Sequence, residues 1–494
     1  MVRYVHDRLP LSASVVVILA FLVCFICGCG AAPGVSAAGS TSSAAGQSTT
    51  PPVPGEFTTV TVLFSSTAND ELTDFQLSLG SLILTDAAGK SVTVFAANNA
   101  NRLPEFIHSN SILDPAMSVS VPQDVYTSAK LTFSNPQFSF VTYSSGYIYF
   151  NTAVNYGSSG FEPAQVTLSN PITVSGQSMA LIVDAQVSQS VSISGSPQAN
   201  DFSSSVAPSF SIAEMSGSEM QDASNNGQVT ALGEVGTLAT SADGAPTLVL
   251  NLSSGTKLTL SSDNSTTYQR VNGYDSLSPG MFADVDLAMQ PDGTLLATRV
   301  EVLDPSTNDL VTGPLFNIDP SAGIFNLVGE REQGQDFSSG FRSGGMALQF
   351  TGNTAFRLYG GFQAPQGLPF APAFSSTSVV AGQNVAVTSQ SIPLSGPYPT
   401  VATMTLLPQT VDGTIESLTS NNGFQVYTVD LASYDPLSAG RGTRTLEVYV
   451  GSQTRLMNSI APQPGQILRF HGMVFSVQGS LEMVADQMND GVAE

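Results

Sequence analysis

The chain has 494 residues, with 15 Lys and Arg against 38 Asp and Glu, a formal net charge of −23, 44 Gly, 29 Pro, three Cys, three His and no Trp. Such a length holds several domains of about 100–200 residues each, and a charged share of 11%, against about 25% for an ordinary domain, excludes a disordered polyelectrolyte, a coiled coil and a highly helical enzyme. With only Lys90, Lys130 and Lys257 as lysines, the chain lacks the positive field that gathers phosphates, so nucleic acid is not an expected partner.

The amino terminus carries Arg3 and Arg8 and then an apolar run from Leu11 to Gly28 that ends in small residues, the layout of an export signal. Its eighteen residues also sit at the short edge of a membrane span, so an uncleaved anchor helix in the inner membrane is the alternative. All thiols lie here, at Cys24, Cys27 and Cys29, so the chain after Gly30 has no disulfide, Cys-bound zinc or Cys nucleophile. The stretch Ile26-Cys27-Gly28-Cys29 resembles the lipobox of bacterial lipoproteins, with Cys27 standing where Ala or Ser is usual. The resemblance implies that residues 1–29 form a lipoprotein signal, that Cys29 receives the lipid, and that the body is anchored outside the inner membrane. Gly30, in place of a retaining Asp, implies the outer membrane, on its periplasmic face or at the cell surface. Residues 30–55, rich in Gly, Ser, Ala and Pro and uncharged, read as a flexible tether.

From 56 to 213 the hydrophobic pattern has period two. Val60, Val62 and Phe64, then Phe75, Leu77 and Leu79, then Leu131 and Phe133 alternate with polar or smaller residues, which predicts half-buried antiparallel strands in a β-sandwich-like domain. The run from Phe138 to Phe150 concentrates aromatics, and on a hairpin Tyr147 and Tyr149 share one face. With Tyr143 they form a possible ligand surface, a stacking platform for a sugar or a peptide edge, although the absence of Trp weighs toward ordinary packing. Helical periodicity is scarce. The best stretches are 103–108 and 213–222, and residues 214–227 read equally well as a polar linker.

Three following segments, 228–305, 306–408 and 409–488, repeat one order of landmarks: an entry Gly (Gly233, Gly313, Gly413), a Thr at a strand end (Thr267, Thr354, Thr454), a central Gly (Gly280, Gly382, Gly465) and a final apolar strand. The middle segment carries extra residues holding Gly360-Gly361 and Pro365, Pro369 and Pro372, a loop insertion. Short strands broken by Gly suit small closed barrels, so the expected fold is all-β, a sandwich-like domain followed by three tandem OB-like barrels. The core Pro279-Gly280-Met281-Phe282-Ala283-Asp284-Val285 and the ending Asp292-Gly293-Thr294-Leu295-Leu296-Ala297-Thr298-Arg299-Val300 resemble a small-barrel repeat domain of unknown function found in tandem in exported bacterial proteins. Val121 to Leu131 and Ala180 to Ser188 are similar to an uncharacterised amino-terminal lipoprotein module. These resemblances imply architecture and no activity.

Chemistry is sparse. After export only His108 and His471 remain, and no Gly-x-Ser-x-Gly elbow occurs, so neither a His-rich metal site nor a catalytic triad is expected. Asp284 and Asp286 point the same way from one strand and are weak Ca²⁺ candidates, with a solvated face as the plainer reading. The insertion, with Tyr359 and Phe362, reads as an exposed apolar loop and candidate contact surface, or as a lid over its barrel. No cofactor is expected. The chain reads as a lipid-anchored, non-catalytic binding or spacer element whose partner is an unidentified envelope glycan or protein. A glycan-binding or hydrolase-associated lipoprotein and a self-associating adhesive protein are the alternatives.

Overall fold

The computed structural model describes residues 51–67, 72, 74–96, 113–144, 147–153, 161–196, 201–225, 229–241, 244–252, 255–305, 309–329, 331–333, 346–389, 398–431, 435–439, 444–456 and 462–489. The fold is nearly all β, with sandwich-like sheets followed by small five-stranded barrels. The lipobox residues Ile26, Cys27, Gly28 and Cys29, and His108 with the 103–108 stretch, lie outside the described residues.

Two sheets form the first domain. One orders the strands Asp114–Pro122, Phe57–Thr67, Ser178–Gln186, Ser209–Met215 and Gln165–Leu168; the other is built on Ser91–Ala96, Asp74–Asp86, Asp124–Ser144 and Tyr147–Ala153. Val60, Val62, Phe64, Phe75, Leu77, Leu79, Leu131 and Phe133 meet in the shared core. Two expectations are corrected here. Phe57–Thr67 runs parallel to Ser178–Gln186, and Ser209–Met215 runs parallel to Gln165–Leu168, so this sheet is mixed. Moreover, Thr58 and every residue from Val60 to Ser66 are buried. The second face, through Leu63 and Ala180, joins the core of the next module.

The cover over that face comes from residues that read equally well as linker. Gly217–Asn225 is a helix. Its start is a capping box: Ser216 Oγ accepts the Glu219 amide at 3.3 Å and Glu219 Oε2 accepts the Ser216 amide at 2.7 Å. Met220 and Ala223 point into the core shared with Leu63 and Ala180.

Each barrel follows one plan. In the first, the strands are Thr230–Thr240, Pro246–Leu252, Lys257–Ser261 continued by Thr267–Gln269, Phe282–Met289 and Leu295–Asp304. The ring order is 1-2-3-5-4-1, antiparallel except where strands three and five run parallel. The third barrel, with strands Gln409–Asn421, Phe424–Leu431, Thr445–Leu456, Ile467–Val477 and Ser480–Asn489, closes in the same order. In the second, strand three is broken into Met346–Gln349, which pairs with strand two (Ile324–Leu327), and Ala355–Leu358, which pairs in parallel with strand five (Thr403–Leu406).

The landmarks have one structural job in all three. Gly280, Gly382 and Gly465 adopt φ of 90°, 85° and 89°, a region that suits glycine. Their amides donate to the carbonyls of Val235, Leu315 and Ile415 at 2.8, 2.8 and 2.7 Å, two residues beyond each entry Gly. The Thr equivalence needs correction by one residue in the first barrel. Thr266, not Thr267, matches Thr354 and Thr454: these three hydroxyls donate to the carbonyls of Ala297, Val401 and Ala485, each at 2.7 Å. They also accept the amides of Asp263, Thr351 and Gly451. Each Thr therefore pins strand three to the strand-five side at the point where strand three is broken, in the first two barrels, or shifts register, in the third.

Candidate functional site

Three of the side chains singled out in the sequence meet at one place. Asp284 and Asp286, on strand four of the first barrel, lie in register with Glu301 and Arg299 on strand five. Alternation puts all four on the outside of the barrel, since Ala283, Val285, Val300 and Val302 fill its interior. Tyr359 reaches the same spot from the insertion of the second barrel.

Arg299 is the hub. Its Nε and Nη2 hold Asp286 in a fork, at 2.7 Å to Oδ2 and 2.8 Å to Oδ1. Nη2 also donates to Asp284 Oδ1 at 2.6 Å and to the Tyr359 hydroxyl at 2.6 Å, and Nη1 donates to Glu301 Oε2 at 3.0 Å. The guanidinium carbon lies 4.9 Å from the centre of the Tyr359 ring. The side chain is 8% exposed and that of Glu301 is 0% exposed. Planar, forked and always charged, Arg can satisfy several carboxylates at once in such a setting, where Lys could not.

The second barrel closes over this cluster with its backbone. Gly360 N–H donates to Glu301 Oε2 at 2.7 Å, and Gln269 Nε2 donates to the Gly360 carbonyl at 3.1 Å. Arg270 Nη2 donates to the Leu358 carbonyl at 3.1 Å and pairs with Glu301 Oε1 at 2.7 Å, while Arg357 Nη1 donates to the Leu303 carbonyl at 2.8 Å. A Cβ at Gly360 would collide with Gln269 Oε1 and Glu301 Oε2, so close approach is what requires glycine there.

Electrostatics follow from burial and neighbours. Burial alone would lower the Arg299 pKa, but Asp284 and Asp286 outweigh it and hold the guanidinium charged. Burial, then the charge of Asp284, pushes the Glu301 carboxyl up, opposed by Arg270, Arg299 and the Gly360 amide. Burial, then Asp284, likewise raises the Tyr359 hydroxyl.

The plain reading of Asp284 and Asp286 as a solvated face is therefore corrected: their face is an interface between modules, and their inward neighbour is a guanidinium. The oxygens that calcium would need are turned to Arg299. Among the described residues no group of three or more His, Cys, Asp and Glu is placed to hold a metal ion.

The insertion is exposed only in part: Gly361, Gln363, Gln366 and Pro369 face solvent, whereas its aromatics run between the neighbouring barrels, where Tyr359 joins the Arg299 cluster, Phe362 packs on Phe475 of the third barrel at 5.5 Å, and Phe370 packs on Tyr449 and Phe475 at 5.5 and 5.9 Å. Phe374 turns back into the second barrel against Phe356 at 5.6 Å. Tyr143, Tyr147 and Tyr149 lie on paired strands, with Thr142 opposite Tyr149 and Ser144 opposite Tyr147. Their side chains are outside what is described. His471 sits on strand four of the third barrel with Nδ1 2.7 Å from Asp486 Oδ1.

The sequence did not single out Arg299, Glu301, Arg270 or Gly360 as site residues, although Arg299 lies in the quoted repeat ending and Gly360 in the loop insertion. The available signal was a rare cation two residues from a carboxylate in a strand predicted to alternate, but its partners are fixed only by the register of strands four and five.

Residues 226–301 match a family model described as Domain of unknown function (DUF5666). That span covers the first barrel as far as Glu301, so it includes Asp284, Asp286, Arg299 and Arg270 and stops short of Tyr359 and Gly360. No curated protein matches the chain.

Proposed function

We propose that the chain is a lipid-anchored bacterial envelope protein that serves as a non-catalytic spacer or scaffold. The observation that carries this reading is the use made of its most reactive-looking side chains. Asp284, Asp286, Arg299, Glu301 and Tyr359 join one barrel to the next through hydrogen bonds to one another and to the Gly360 amide. Further bonds bind the modules. Ser178 Oγ donates to the Pro291 carbonyl, Gln76 Nε2 to the Gly329 carbonyl and Gln383 Nε2 to the Val474 carbonyl, linking the first domain to the first and second barrels and the second barrel to the third. Polar groups so placed position modules rather than substrate. The lipobox-like stretch at Cys29 and the uncharged tether after it supply the anchoring half of the proposal.

Two measurements test it. In cells fed a clickable palmitate analogue, the chain is expected to take up label and Cys29→Ala to lose it; equal labelling of the variant overturns Cys29 as the anchor. The purified protein, probed against arrays of envelope glycans and peptides and sized by light scattering, is expected to bind nothing specifically and to stay monomeric. Glycan retention that Tyr147→Ala removes would replace the scaffold with a glycan-binding lipoprotein. Concentration-dependent growth in mass would replace it with an adhesive protein.

A further inference from the structure

The outer face of the third barrel holds a second, unlike cluster of carboxylates. Glu447 on strand three and Glu482 on strand five are register partners on adjacent parallel strands. Tyr449, 4% exposed, donates its hydroxyl to Glu447 Oε2 at 3.1 Å. Glu482 is 9% exposed, and its Oε2 has no hydrogen-bond partner. Where the Arg299 cluster neutralises its acids with guanidinium groups, the charged and titratable groups acting on Glu482 are Glu447 and Tyr449.

The insertion packs on the aromatic residues that flank this pair. Phe475 is the register partner of Glu482 on strand four, and Phe370 lies across both Phe475 and Tyr449. Residues 360–374 contain no ionisable side chain. On strand two, the residue opposite Glu447 is Thr428, whose hydroxyl is bonded by Ser417. The other ionisable groups of strands four and five, Arg469, His471 and Asp486, are engaged elsewhere, Arg469 with Asp412 and His471 with Asp486. Two neighbouring carboxylates among apolar and aromatic side chains resist full ionisation, because desolvation and mutual repulsion both favour keeping one proton in the pair.

We propose that the Phe370 segment is a proton-gated latch: it seats on the third barrel while the Glu447–Glu482 pair holds a proton, and lifts when both carboxylates ionise, baring the aromatic surface of Phe424, Tyr449 and Phe475. Burial, then the charge of Glu447, pushes the Glu482 carboxyl up to about 7. The sign follows by linkage. Lifting the segment rehydrates Glu482 and relieves the burial part of its shift, while Glu447 stays beside it on the next strand, so the closed form binds the proton more tightly. Closure is fully favoured below the ordinary carboxyl range near 4.5 and loses that support as pH rises through about 7.

The natural chain has no Trp, so Phe370→Trp makes a single reporter in the full-length protein. Its emission is expected to be blue and shielded from acrylamide at pH 5.5. Between pH 6 and 8, with a midpoint near 7, it should shift red while the quenching constant rises about threefold. Adding Glu482→Gln, which keeps the neutral shape, should hold the reporter shielded to pH 8.5. Hydrogen exchange of residues 360–374 in the unsubstituted chain, corrected for the intrinsic pH dependence, should show the same midpoint and guards against a poorly folded reporter. A pH-flat reporter with pH-flat corrected exchange, or a transition that survives Glu482→Gln unchanged, overturns the latch. Re-shielding by millimolar calcium at pH 8 also overturns it, since the pair would then hold a cation in place of the proton.

Discussion

Arg299 illustrates how one side chain carries more than its own area. Its guanidinium faces Asp284, Asp286 and Glu301 in a nearly dry setting, and removing it leaves those acids without their chief partner. Arg299→Ala is expected to lower unfolding free energy by about 3–5 kcal/mol, the usual penalty for orphaning buried charge, with urea denaturation as the measure. Arg444 provides the contrast. It pairs with Asp430 at 2.8 Å, but the two side chains are 48% and 35% exposed, so Arg444→Ala should change stability by less than about 0.5 kcal/mol. Sequence made half of this cluster visible. Asp284, Asp286 and Tyr359 stand out by type and spacing, while Arg299 gains its role from a strand register that brings residues 13 and 15 positions apart together. No local pattern encodes that meeting, and an exterior barrel face that reads as polar is indistinguishable from one that reads as an interface until the neighbour is in place.

At the level of elements, the recurrent Thr gives a sharp test of which residues are equivalent. Thr266→Val, Thr354→Val and Thr454→Val each strand a backbone amide within strand three and a carbonyl on the strand-five side, and each should cost about 1–3 kcal/mol. Thr267, whose hydroxyl makes an exposed 3.2 Å bond to the Thr298 carbonyl, should tolerate Val within about 0.5 kcal/mol. The helix Gly217–Asn225 supplies another test: Ser216→Ala removes one arm of the capping box and should cost about 1 kcal/mol by thermal denaturation. Period two made the strands legible because each barrel strand buries one side against its own interior. It misjudged Phe57–Thr67, where the second face is covered by Met220 and Ala223 from a segment whose Ser, Gly and Glu content looked solvated. Parallel pairing was equally hidden, since alternation is the same in both strand directions.

For the molecule as a whole, the raised carboxyls of Asp184, Glu301 and Glu482 bias stability toward acid. Burial pushes Asp184 up to about 6, with bonds from Ser211, Ser65 and Gln186 opposing, and Glu482 stands at about 7. Each folded-state value exceeds that of the unfolded chain, so proton binding favours the fold below about pH 4, and that contribution fades as pH climbs through 6 and 7. The net charge of −23 acts in the same direction as carboxylates ionise. Urea midpoints are therefore expected to fall between pH 5 and pH 8 by the equivalent of about 1–2 kcal/mol, a discounted figure for partly desolvated groups. Asp184→Asn with Glu482→Gln should flatten the profile. A rising midpoint over the same range would contradict the burial assigned to both.

The insertion also has a consequence in time. Synthesis delivers the chain amino end first, so Tyr359 finds Arg299 already made, whereas Phe362 and Phe370 must wait for Tyr449 and Phe475. Throughout that delay a proline-rich, chargeless ribbon with bare phenyl rings protrudes from a half-built protein. Its prolines keep the ribbon from pairing as a stray strand. Nascent-chain arrest before residue 449 should yield a species that captures hydrophobic dyes and holdase chaperones, and arrest beyond residue 489 should not, which makes the last barrel the step at which the translation product becomes inert.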